Sequence, residues 1–201
     1  MTAQISDIYR YQDKNYSMVS TSNDIPFKPQ KYGLRPHSAC TACWRGYWCE
    51  YEILGDKLVL KALYINNNHD KYPPLNGVEV SPQEFEEAMC YLPGKDSYEI
   101  RSTPAHFGHR VYRDVDLPVP YTGDVLLGRG FLKEFYIHRG FQMSWAFKEL
   151  IKLVFIDGEL QECKDLSHLA EARRESIKKR KEACNISSNE RLPPGNDEPE
   201  K

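Results

Sequence analysis

What this sequence lacks narrows its possibilities first. No stretch approaches the roughly 18 consecutive apolar residues of a membrane-spanning helix, and residues 1–7 show no basic segment leading into an apolar run. The expectation is a cytoplasmic protein with no membrane partner. Charge of one sign is missing too. The 27 basic and 29 acidic residues leave a formal net charge of −2, so no overall field draws the chain to nucleic acid. There is no Gly-x-Ser-x-Gly elbow to carry a hydrolase nucleophile, and Gly128-Arg129-Gly130 is too short to cradle a phosphate. Six cysteines occur at irregular spacing without a secretion signal, which reads as reduced thiols rather than a disulfide framework.

What is present is a chain of 201 residues, enough for one good-sized core, organised around a hairpin. Gly55-Asp56 is a two-residue turn pair between two runs of alternating apolar residues. Pairing outward from it sets Ile53 opposite Leu58, Tyr51 opposite Leu60, Cys49 opposite Ala62 and Tyr47 opposite Tyr64. One face is then wholly apolar or aromatic and must be buried, since side chains alternate with period two. The other face is mixed: Glu50 opposite Lys61, Glu52 opposite Val59 and Trp48 opposite Leu63. A slip of one residue would turn the whole apolar set outward, so this register is strongly specified.

Around that hairpin the chain divides into an N-terminal arm (1–36), a β-rich core (37–166), a charged C-terminal helix (167–184) and a disordered tail (185–201). The tail has too few apolar residues to offset its ordering entropy. Ser81-Pro82 with Glu84 carries the signature of a capped helix start, predicting a short helix over 81–91. Tyr98 to Arg101 can form a short strand, and Pro118 and Pro120 forbid a central strand around them. Later come a strand over 124–127, a turn at Gly128-Arg129-Gly130, a strand over 131–138 and an apolar run over 141–156, part of which has ambiguous period. Asp157-Gly158 folds that run into a second hairpin. The fold class is α+β, mainly β: an antiparallel sheet curled into a sandwich or open barrel, with one short capped helix and a C-terminal helix.

Candidate chemistry is sparse. His37-x-x-Cys40-x-x-Cys43 has metal-like spacing, but no second Cys-x-x-Cys completes a tetrahedral set, so no metal or other cofactor is expected. The run Lys178-Lys179-Arg180-Lys181 is bracketed by acids and reads as a solvated helix face. Two segments place polar groups among aromatics: Trp44-Arg45-Gly46-Tyr47, and Tyr136 to Phe141 around His138. Arg45, Tyr47, Tyr136 and His138 are therefore the candidate binding residues, expected to converge either as a hydrogen-bonded network or as a concave polar site.

The pattern Trp44-Arg45-Gly46-Tyr47 followed by Tyr51-Glu52-Ile53, with a later aromatic-x-His-x-Gly-aromatic at 136–141, resembles a family of uncharacterised bacterial proteins. The chain departs from that pattern at Tyr51, where Trp is usual, and at Cys43, where an aliphatic residue is usual. The resemblance implies a compact β-rich fold over about 38–163 and transfers no activity. The functional expectation is a bacterial cytoplasmic binding or interaction protein whose ligand or partner the sequence does not identify, a partner protein or toxin neutralisation being instances. The alternative is an enzyme or metal-dependent protein using a polar site around Arg45 and His138.

Overall fold

Tight turns set the architecture, two of them at the Gly55-Asp56 and Asp157-Gly158 pairs read in the sequence and one at Gln12-Asp13, which was not. In the computed structural model, which describes residues 2–68, 71–92, 94 and 97–189, Gln12 and Asp13 both take positive φ, as do Gly55, Asp157 and Gly158. Left-handed residues at these tips match the right-handed twist of flanking strands, so each tip closes a hairpin. The hairpins are β1 (Ile8–Tyr11) with β2 (Lys14–Thr21), β3 (Tyr47–Leu54) with β4 (Lys57–Ile65), and β10 (Phe147–Ile156) with β11 (Glu159–Asp165).

With β9 (Gly123–Phe131), these strands form a seven-strand mixed barrel in the order β11-β10-β9-β2-β1-β3-β4. The barrel closes where Glu159 of β11 meets Lys57 of β4, with Leu58 N–H donating to the Gly158 carbonyl and Leu160 N–H to that of Asp56. Further along the same edge, β4 pairs with β7 (Arg110–Tyr112) and β8 (Leu117–Pro118). As the prolines predict, β8 is only two residues long.

The molecule is mainly β, but it is not the antiparallel sandwich or open barrel expected, because β1 runs parallel to β3. Residues 22–46 carry the chain past β1 to its far side, long enough for the crossover that a parallel neighbour requires. The N-terminal segment is accordingly not an arm laid on the domain. It supplies two barrel strands, and Tyr9 is completely buried in the core.

The central hairpin follows the predicted register for its first four pairs, from Leu54↔Lys57 to Tyr51↔Leu60. A β-bulge then leaves Lys61 out and shifts the pairing to Glu50↔Ala62, Cys49↔Leu63, Trp48↔Tyr64 and Tyr47↔Ile65. The bulge has a packing cause. It swings Leu63 and Ile65 into the core beside Tyr47, Cys49, Tyr51, Ile53, Leu58 and Leu60, whereas the unbroken register would put Ala62 and Tyr64 there. On the outer face Trp48 then stacks on Tyr64, ring centroids 4.7 Å apart.

Gly128-Arg129-Gly130 is not a turn but part of β9, because the Phe147 ring of β10 lies flat on Gly128. A Cβ at Gly128 would sit 2.4 Å from Phe147 Cγ. Nor is 131–138 a strand: the chain leaves β9 at Phe131, turns through a short 3-10 segment at Lys133–Phe135 and returns through another at Ser144–Ala146. After β11, Asp165 accepts the Ser167 N–H and starts α1 (Ser167–Asn189), which packs on β10. The helix continues past the predicted end at 184, and the remainder of the expected tail, 190–201, lies outside the described residues. Among the described residues no helix is long and apolar enough to cross a membrane.

The largest departure is at 81–91. In place of a capped helix, β5 (Phe85–Leu92) pairs with β6 (Ser97–Pro104) as a separate two-stranded sheet. Ser81 cannot cap because its backbone is held extended against β7: its N–H donates to Val111 O, and its carbonyl accepts Arg110 Nε at 2.7 Å.

Candidate interaction site

The β5–β6 hairpin stands off the barrel as an arm. Its register, Met89↔Ile100 and Tyr91↔Tyr98, gathers Phe85, Met89, Tyr91, Tyr98 and Ile100 on one face by period-two alternation, with the Glu87↔Ser102 pair among them. Each of these five side chains is more than half exposed, Met89 at 73% and Ile100 at 68%. The opposite face carries Glu86, Ala88 and Cys90 against Glu99, Arg101 and Thr103. Exposed large apolar residues scattered singly are ordinary, and five clustered on one face make the arm the candidate contact surface.

A polar clasp fixes the foot of the arm. Arg113 donates from Nη2 to both oxygens of Glu84, at 2.9 and 2.8 Å, and His106 Nε2 lies 2.9 Å from Glu84 Oε2. Hydrogen bonds from Arg113 and His106 hold the Glu84 carboxyl below the usual carboxylate range. Behind the clasp, His106 meets the edge of Tyr64, Tyr64 stacks on Trp48, and Trp48 packs on His109. His109 donates from Nδ1 to the His106 carbonyl and is left with Nε2 buried and unpartnered. Burial pushes its pKa below the ordinary histidine value. His106, Phe107 and Gly108 take positive φ in succession. A non-glycine residue held there costs about 1–3 kcal/mol, so the foot is a strained, over-determined junction.

The four residues singled out in the sequence come together only in two pairs. Arg45 donates from Nε to the Tyr47 carbonyl at 2.7 Å, and its guanidinium sits 4.9 Å from the Tyr47 ring centroid. The same guanidinium makes a bidentate ion pair with Asp7, which is 1% exposed and also accepts the Cys49 N–H at 2.7 Å. Burial raises the Asp7 carboxyl while Arg45 and the Cys49 amide pull it down, and the balance lies above the ordinary value. Arg45 is thus a structural tie between the N-terminal segment and β3.

Gly46 next to it is fixed by close approach, since its φ is +77° and a Cβ would lie 2.3 Å from the His37 carbonyl oxygen. Tyr136 and His138 are exposed on the 132–146 connection, with the Tyr136 hydroxyl 3.3 Å from His138 Nδ1. Among the described contacts, none joins this pair to Arg45 or Tyr47. Gln4 links the two regions, since its N–H donates to Gly140 O and its Oε1 accepts the Trp44 N–H.

Cys43 is buried, directs Sγ at the Tyr47 carbonyl and is pushed up to about 11 by burial, while His37 is exposed and bonded to Asn66. Among the described residues, no three His, Cys, Asp or Glu side chains are placed to share a metal ion. On the outer face of β1, β3 and β4 lies a shallow groove of about 580 Å³ lined by Arg10, Glu52, Lys61 and Arg113. These charges are already paired, Arg10 with Glu52, Lys61 with Asp116 and Arg113 with Glu84.

The arm was missed in the sequence because the Ser-Pro-x-Glu signature outweighed period two. The available signal was that Tyr98 to Arg101 needed a partner strand, with Pro93-Gly94 midway to one. No family model, curated protein or solved structure matches this chain.

Proposed function

We propose that this chain is a binding protein that takes a partner protein on the β5–β6 arm, with the barrel as its rigid mount. One observation carries the reading: the five large apolar side chains of one arm face are more than half exposed, and among the described residues the arm's strands pair only with each other. A lone two-stranded hairpin is marginal in water and gains stability when a further strand or packed face is added. The clasp supports the same reading, because Glu84, His106 and Arg113 spend charge-assisted hydrogen bonds on fixing the foot of an element that contributes nothing to the core. The alternative of an enzymatic site on Arg45 and His138 has less support, since Arg45 is committed to Asp7.

Photo-crosslinking in the native cells tests the reading. A photoreactive amino acid at Met89 should give a discrete protein adduct, whereas the same group at Asn15, on a barrel strand, should give none. No adduct from Met89 above that background contradicts the proposal.

A further inference from the structure

We infer that the partner seated on the arm is a second copy of this chain, joined edge to edge through β6 about a two-fold axis centred on Ile100. This rests on the reading of the arm as a protein-binding element and names its occupant. Ala105 N–H donates to Glu84 O, which makes Glu84 and Ala105 a hydrogen-bonded pair. Pairs alternate along an antiparallel ladder, so Ser97, Glu99, Arg101 and Thr103 turn their backbone groups toward β5. Tyr98, Ile100 and Ser102 turn theirs to the open edge. Pro104, which has no N–H, falls in the same outward set, where a missing donor costs no ladder bond.

An antiparallel copy centred on Ile100 then exchanges backbone hydrogen bonds at Ile100 and between Tyr98 and Ser102 of the second copy. The same register sets Glu99 directly across from Arg101 of the second copy, and Arg101 across from its Glu99. Within one chain these two side chains already form an ion pair on one face. Two-fold pairing therefore completes a ring of four alternating charges. Moving the centre one residue either way opposes Arg101 to Arg101 or Glu99 to Glu99. Moving it by two leaves at least one of them without its counter-charge.

The β5 edge offers no such match, because it bears Glu86 and Glu87 and no basic residue. Acids on an exposed edge discourage pairing there, leaving β6 as the free edge. On the other face, Ile100 meets its own copy and Tyr98 continues the apolar surface across the axis.

The test is sedimentation of the full chain over a concentration series, with melting temperature measured on every variant. Wild type should show a reversible monomer–dimer equilibrium. R101E and E99R, each placing like charges opposite one another, should each weaken the dimer by about tenfold or more. The double reversal E99R/R101E should restore it, and an equimolar mixture of the two single variants should form the mixed dimer. A wild type that stays monomeric throughout overturns the inference, as does a dimer indifferent to the reversals. If the Met89 adduct then contains a different protein, the binding role of the arm stands and only the second copy is rejected. If the wild type is monomeric and no adduct forms, both fall.

Discussion

The barrel and the arm are built from the same kind of unit, a pair of antiparallel strands, yet they solve the edge problem in opposite ways. In the barrel every strand is paired on both sides along part of its length, and the inner faces meet each other, so Leu60, Leu63, Leu127 and Leu153 are completely buried. The arm has two strands, two open edges and an apolar face turned to water. An element that closes on itself leaves nothing for a partner to complete, which is why the proposed recognition role falls on the arm and stability on the barrel.

The barrel loses most stability if its buried tie is cut. Arg45→Met leaves the Asp7 carboxylate buried without its counter-ion and is expected to lower stability by about 3–5 kcal/mol in equilibrium denaturation. Leu60→Ala, at a completely buried position, should cost about 2–5 kcal/mol by the same measurement. Gly128→Ala forces a methyl against Phe147, which is itself only 5% exposed, and should cost about 1–3 kcal/mol.

The foot of the arm should show a pH effect. Burial depresses the folded-state pKa of His109 below its ordinary 6.5, so the unfolded chain binds the proton first. The stability tied to neutral His109 is therefore complete above about pH 6.5 and is lost as pH falls toward the folded value. His109→Gln should flatten that part of the stability-against-pH curve, and an unchanged slope would place the titration elsewhere. The smallest effect is expected on the arm itself, where Met89→Ser should change stability by no more than about 0.5 kcal/mol.

How far the sequence could be read follows the same divide. Tyr47, Tyr51, Ile53, Leu58 and Leu60 were legible as core because a turn pair and period-two alternation fixed them locally, and all five are buried. The bulge at Lys61 was not, since it depends on which of Ala62 or Leu63 best fills a core that other strands complete. The parallel placement of β1 beside β3 depends on a crossover that no local pattern encodes.

At the candidate site, residue chemistry was legible and company was not. Arg45 was expected to need acceptors, and it finds them in Asp7, a residue 38 positions away on a segment read as an arm. His138 and Tyr136 do pair, but with each other, at the surface. The exposed face of the arm was hidden because a helix-start signature at Ser81 competed with strand pairing, and pairing to β6 won.

Amide hydrogen exchange, read at single residues over a concentration series, tests most directly the claim that a closed barrel carries an arm awaiting an edge. Barrel amides such as Leu127 and Leu153 should be strongly protected at every concentration. The outward amides of Tyr98, Ile100 and Ser102 should exchange rapidly in dilute solution and gain protection as concentration rises. If those three are as protected as the barrel in dilute solution, or exchange at one rate throughout, the division between a self-sufficient barrel and an incomplete arm is wrong.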